Sequence, residues 1–193
     1  MSKQSGPALI LASASPRRAD LLRWAGVPFT VDPAAIDESR QNGDAPMDHA
    51  LRLARTKALA KSRPGVLSLG ADTTVFIDDR IFEKPADPAE AAAHLASLSG
   101  KTHRVVTAFS LAEGSRTLLA RAVVSLVTFR HLSPAMIYKY VVTGEGLDKA
   151  GAYGLQGEGG FLVETIEGSY TNVVGLPLTE VLAALEEAGF RLP

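Results

Sequence analysis

The strongest constraint on this chain is the way proline marks the starts of its helices. Ser15-Pro16, Asp87-Pro88 and Ser133-Pro134 each place a capping side chain directly before a proline at the first helical position, and Pro46 opens a fourth amphipathic stretch. Pro16 leads into RRADLLRWA and Gly26, with an apolar stripe of Ala19, Leu22 and Ala25. Asp87-Pro88-Ala89-Glu90 is a capping-box variant whose helix ends near Gly100. Ser133-Pro134 begins a helix that runs to Gly144, and Thr179 to Gly189 reads as the last one. From Pro46 to Ser62 the apolar stripe is Met47, Ala50, Leu51, Ala54 and Ala58, at helical spacing.

Between these starts the period changes. Ala8–Ala12 is a short apolar run, as in a buried strand. Leu67, Leu69, Ala71, Val75 and Ile77 alternate with smaller polar residues, and Asp78-Asp79-Arg80 turns the chain into Ile81-Phe82. Segments 103–111 and 117–129 read as long strands joined at Glu113-Gly114, and 160–166 as another. The expected fold is therefore mixed α/β, helices flanking a long, largely antiparallel-edged sheet. With 193 residues, and neither an internal repeat nor a Pro- or Ser-rich linker, one domain is expected over 1–193.

Composition narrows the function. The chain lacks cysteine, which excludes disulfides, Cys-ligated metals and thiol nucleophiles. The apolar run near the N-terminus is too short for a signal-peptide core, and no stretch suits a membrane span, so a cytoplasmic protein is expected. Net charge is −1, although residues 1–65 hold 10 basic and 6 acidic side chains. That balance suits a small anionic ligand better than nucleic acid. Arg52, Arg55, Lys57, Lys61 and Arg63 scatter around their helix instead of forming a stripe, so no stable nucleic-acid complex is expected.

Several positions could carry chemistry. Ser13, Arg17 and Arg18 lie at a strand-to-helix junction, either as an anion cradle or as a capped helix with solvated arginines. Asp72 stands within an apolar strand, on the face opposite Leu69, Ala71 and Val75, as a general base, a metal ligand or a solvated residue. Lys57 sits on the shoulder of its helix's apolar stripe, where lysines commonly snorkel. Glu38 and Lys84 follow strands or loops, as binding groups often do. Segment 144–160 holds seven of the 17 glycines, so it reads as a loop that a ligand can approach, or simply as a long mobile one; Gln156 is its natural reader of a base edge.

Taken together, LILASASPRR, Asp37-Glu38, RLARTKA, GADT, EKP, LSGKTHRVVTA, GEGLDKAGAYGLQG and IEGSYTNVVGLPL make the chain resemble the Maf nucleoside triphosphate pyrophosphatases, from Leu9 to about Leu178. The resemblance implies an elongated two-lobed α/β fold with a twisted sheet and a central cleft, as in Maf and ITPase-like proteins. It also implies hydrolysis of a nucleoside triphosphate to the monophosphate and pyrophosphate, with a divalent cation (Mg²⁺, Mn²⁺ or Co²⁺). Carried over by motif, Asp72 would be the general base, Glu38 and Asp72 the metal contacts, and Ser13, Arg18, Lys57 and Lys84 the triphosphate ligands. Arg17, Thr73 and Gln156 match the dTTP/UTP subgroup, where the 7-methyl-GTP subgroup tends to Trp, Gln and Glu. A non-catalytic, nucleotide-binding regulator of septum formation is the rival reading. A homodimer is the expected assembly.

Overall fold

The computed structural model describes residues 7–41 and 43–193. In chain order the elements are β1 (Ala8–Leu11), α1 (Pro16–Trp24), β2 (Thr30–Val31), α2 (Pro46–Lys61), β3 (Val66–Ile77), β4 (Arg80–Phe82), α3 (Pro88–Leu98), β5 (Thr102–Glu113), β6 (Arg116–Phe129), α4 (Pro134–Val141), β7 (Val163–Glu167), α5 (Tyr170–Val174) and α6 (Leu178–Glu187). Short 3₁₀ turns at Ala150–Ala152 and Glu158–Leu162 lie between α4 and β7.

The fold is mixed α/β, as expected, with strand order β2-β1-β3-β5-β6-β7 and β4 paired to β3. The β2 edge differs from the sequence reading, whereas the β7 edge is antiparallel as expected. β1 runs parallel to both β2 and β3, while β3–β4 and β6–β7 are antiparallel. The parallel edge follows from connectivity, because β1 returns to β2 through α1, and β2 to β3 through α2.

The cap reading holds for two of the helices. The Asp87 carboxylate accepts the Glu90 amide at 2.8 Å, and the Ser133 hydroxyl accepts the Met136 amide at 3.3 Å. Ser15 occupies the N-cap position of α1, but its side chain makes no cap hydrogen bond. The β3–β4 hairpin turns on Asp78-Asp79, with Asp78 in the left-handed region at φ 51°.

The described residues divide into two compact units: 7–41, 43–72, 107–123 and 175–193 form the first, and 73–106 and 124–174 the second. In the first, Leu9, Ile10, Leu11, Leu21, Leu22, Leu53, Leu67 and Leu69 are buried. The second is built around Phe82, Leu95, Val105, Phe129, Tyr140, Tyr153 and Leu162.

One expectation about burial needs correction, and one open reading is decided. The buried face of α2 carries His49, Ala50, Leu53, Ala54, Lys57 and Ala58, whereas Met47 is exposed and Leu51 only partly covered. The face of β3 that carries Asp72, which the sequence leaves either open or covered, is covered: Ser68, Gly70, Asp72 and Thr74 are all buried. Both have one cause. Ala50, Ala54 and Ala58 present a small-residue ridge, and at Gly70 a Cβ would overlap the Ala54 carbonyl and the Ala58 amide. With no side chain between them, the α2 backbone lies directly on that face of β3.

Candidate active site

This close approach assembles a site within the first unit. Lys57 faces β3, one position before Ala58, and its ammonium is nearly excluded from solvent. A buried ammonium requires anionic partners. It has two: Nζ donates to Asp72 Oδ1 at 2.8 Å and lies 2.9 Å from Glu38 Oε1. Asp72 is buried like the lysine, whereas Glu38 is about half exposed. Lys57 is therefore no snorkelling side chain. It brings a strand carboxylate and a loop carboxylate to one point.

Glu38 precedes a braced segment. Arg52, on α2, reaches Asp44 Oδ2 with Nε at 3.1 Å and Nη2 at 2.8 Å, and Nη2 also donates to the Ser39 carbonyl at 3.1 Å. His49 Nδ1 lies 3.0 Å from the same guanidinium nitrogen. Lys61 pairs with Asp32 at 2.6 Å. Three of the cations along α2, Arg52, Lys57 and Lys61, are thus engaged by carboxylates of the same unit.

Arg18 forms the neighbouring wall. Its Nε donates to the Gly175 carbonyl at 2.8 Å, and Nη1 to the Ala71 carbonyl at 2.9 Å and to Ser13 Oγ at 3.0 Å. Burial lowers the guanidinium pKa from its ordinary value, partly offset by the charge of Asp72. Ser13 lies just beyond the Leu11–Leu69 register pair, and the Ala12 amide continues the pairing by donating to the Leu69 carbonyl at 2.9 Å. The β1–α1 turn is thereby tied to the middle of β3, close to Asp72. The Ser13 hydroxyl also accepts the Ser15 amide at 3.3 Å. Ser13 and Arg18 are brought together, with the Arg18 guanidinium also holding two backbone carbonyls.

Of the other predicted positions, half-buried Arg17 follows Pro16 in the first turn of α1. Thr73, Lys84 and Gln156 belong to the second unit. Thr73 is half-buried in β3 directly after Asp72, Lys84 is exposed after β4, and Gln156 is exposed between the two 3₁₀ turns. His103, which sequence reasoning left without a role, is a core residue of that unit. Its Nε2 lies 2.8 Å from Tyr153 Oη, and burial pushes its pKa down to about 4. Arg52 was missed as a brace. A carboxylate eight residues before it was the available signal, but Asp44 precedes the helix, so helical spacing could not connect the two.

A family profile described as Maf-like protein matches residues 8–188. The chain belongs to the Maf family. A Maf relative from Moorella thermoacetica, named dTTP/UTP pyrophosphatase, is 51% identical over 179 residues, which make up 90% of this chain and 91% of the relative. One from Myxococcus xanthus, with the same name, is 50% identical over 188 residues, 96% of this chain and 94% of the relative. Among solved structures, a HAM1 protein from Coxiella burnetii superposes with a TM-score of 0.52 at 16% identity, over 94% of this chain and 99% of that one. The Staphylococcus aureus Ham1 protein gives 0.51 at 12% identity over the same shares. These two likenesses show that the Maf chain shares the Ham1 fold. No helix among the described residues is long and apolar enough to cross a membrane.

Proposed function

We propose that this chain hydrolyses dTTP and UTP to the nucleoside monophosphate and pyrophosphate. The observation that carries the reading is the convergence of Glu38 and Asp72 on Lys57 Nζ, at 2.9 and 2.8 Å. In a chain about half identical to proteins named for this activity, that arrangement supplies a carboxylate and a fixed cation at one point.

In the proposed reaction a water oxygen bonds to the α-phosphorus, and the bridging bond from that phosphorus to the β-phosphate oxygen breaks. The Asp72 carboxylate takes the water's proton, and pyrophosphate leaves with the bridging oxygen. Lys57 holds Asp72 in place and offers positive charge to the phosphates, with Ser13, Arg18 and Lys84 as further triphosphate contacts. Arg17, Thr73 and Gln156 recognise the pyrimidine, the Gln156 amide matching the donor–acceptor edge of thymine or uracil.

Glu38 and Asp72 fit a divalent cation in donor chemistry: two carboxylates already converge on one positive charge and offer only oxygen, as Mg²⁺, Mn²⁺ or Co²⁺ accepts. Among the described residues no group of three or more His, Cys, Asp and Glu side chains gathers to hold a metal. Two carboxylates completed by substrate phosphate and water are the usual provision for Mg²⁺. When bound, the cation neutralises phosphate charge.

The test is pyrophosphate release from dTTP, UTP, CTP, GTP and 7-methyl-GTP, with Mg²⁺ and with EDTA, by the native chain and by Asp72→Asn. Turnover of dTTP and UTP that EDTA abolishes is expected. Asp72→Asn is expected to lose about 10²–10⁴ in rate while still binding nucleotide. A native chain that binds these nucleotides without turning any over refutes the proposal and leaves the regulator reading in its place. Full activity in Asp72→Asn removes the base from Asp72.

A further inference from the structure

Seven glycines in 17 positions would be expected to leave segment 144–160 slack. Its hydrogen bonds say otherwise. Glu145, early in the segment, accepts the amide of Glu158 on Oε2 at 2.7 Å and the amide of Gly159 on Oε1 at 3.4 Å. Its Oε1 also accepts the Tyr140 hydroxyl at 3.3 Å, and that hydroxyl in turn accepts the Gly154 amide at 3.1 Å. The Lys149 ammonium donates to the Glu145 carbonyl. One Tyr140–Glu145 pair therefore grips the chain at Gly154 and again at Glu158. Between the two grips lie three residues, Leu155, Gln156 and Gly157, with Gln156 at the centre and exposed.

The surroundings make this hoop stiff. Tyr140 is buried in the core of its unit, and burial keeps its phenol protonated, so it remains a donor to the carboxylate. Just before the first grip, Tyr153 is anchored through its hydroxyl to His103 at 2.8 Å and packs edge-on against Phe129. The glycines give room to the carboxylate: a Cβ on Gly157 would lie 2.5 Å from Glu145 Oε2, and one on Gly159 would lie 2.8 Å from the Tyr140 hydroxyl.

We infer that Glu145 is a positioning residue for base selection: with Tyr140 it closes the hoop that holds Gln156 in register to read the pyrimidine edge. This rests on the proposed pyrophosphatase reading and on Gln156 as its base reader. A side-chain amide distinguishes thymine or uracil from cytosine only when its donor and acceptor are held in a fixed order, so discrimination depends on the hoop's rigidity.

The experiment uses the full chain with Mg²⁺. It measures kcat and KM for dTTP, UTP, CTP and GTP, with Tm alongside, for the native protein, Glu145→Ala, Glu145→Gln, Gln156→Ala and the Glu145→Ala/Gln156→Ala double variant. Glu145→Ala is expected to raise KM for dTTP about tenfold and to shrink the dTTP/CTP ratio of kcat/KM by about tenfold, with a much smaller change in kcat. Glu145→Gln keeps an oxygen for the Glu158 amide, so it should recover part of the selectivity; it also keeps the test open if the alanine variant folds poorly. Gln156→Ala should shift the same ratio, and the double variant should add little, as expected of residues acting through one contact.

A Glu145 variant that lowers Tm but leaves the dTTP/CTP ratio intact overturns the inference, because the brace is then only structural. So do fully additive effects, or a Gln156→Ala variant with native selectivity. Absence of dTTP turnover in the native chain is a different result: it refutes the pyrophosphatase reading itself and takes the inference with it.

Discussion

Replacing Gly70 with alanine tests whether the α2–β3 spacing makes the site. The new Cβ would lie 3.0 Å from Ala58 Cα and would overlap the Ala54 carbonyl and the Ala58 amide, all of them backbone atoms that no rotamer change can move. Carbon–carbon contacts settle at about 3.5–4.0 Å, so α2 must retreat from β3 by about 1 Å. Overpacking of this kind costs about 1–3 kcal/mol. For a chain of this length that lowers Tm by about 2–12 °C. The same displacement falls on the 2.8 Å contact between Lys57, on the retreating helix, and Asp72, on the strand. If this pair serves the proposed reaction, its misplacement by about 1 Å is expected to reduce kcat/KM about 10²-fold. Pyrophosphate release at 25 °C, well below the variant's Tm, separates this loss from unfolding. A Gly70→Ala protein with native kcat/KM refutes the reasoning even if its Tm falls, because the helix–strand distance then does not govern the site. Native values of both would mean that the helix does not lie on the strand as described.

Arg52→Ala removes the guanidinium shared by Asp44, Ser39 and His49, and with it the brace beside Glu38. The expected result is a fall of about tenfold in kcat/KM with a loss of only about 1 kcal/mol in stability; Arg52→Lys should lie between, since it keeps the charge without the fork. Full activity in Arg52→Ala would show that Glu38 needs no brace. The other expectation concerns acid stability. Burial holds His103 at about 4, below its ordinary 6.5, so the unfolded chain takes up that proton first. Its contribution is complete above about pH 6.5 and is lost as pH falls through 4, amounting to about 3 kcal/mol between pH 7 and 4. Urea unfolding at the two pH values should show that difference reduced in His103→Gln, and an unchanged difference would mean that His103 is not held neutral in the core.

Much of this protein could be read from local sequence. Helix starts depend on a cap and a proline whose φ is already set, and the Asp78-Asp79 hairpin on a two-residue turn between alternating strands. Those interactions close within a few residues, so the residues that make them stand side by side in the sequence. The ordered motifs carry the family for the same reason, since each is a run of neighbouring residues. What lay beyond the sequence was which face of each element would be covered. The periodicity of α2 placed Met47 and Leu51 inward and Lys57 on the shoulder, yet Lys57 is buried and Met47 is exposed. The fold decided this, because Gly70 lets the alanine ridge of α2 touch the β3 backbone, and a buried ammonium is tolerable only where Asp72 and Glu38 meet it. Likewise, glycine content describes what segment 144–160 is able to do as an isolated chain. Its actual order comes from the Glu145 carboxylate reaching the amides of Glu158 and Gly159, 13 and 14 residues away, and that closure exists only once the core around Tyr140 has formed.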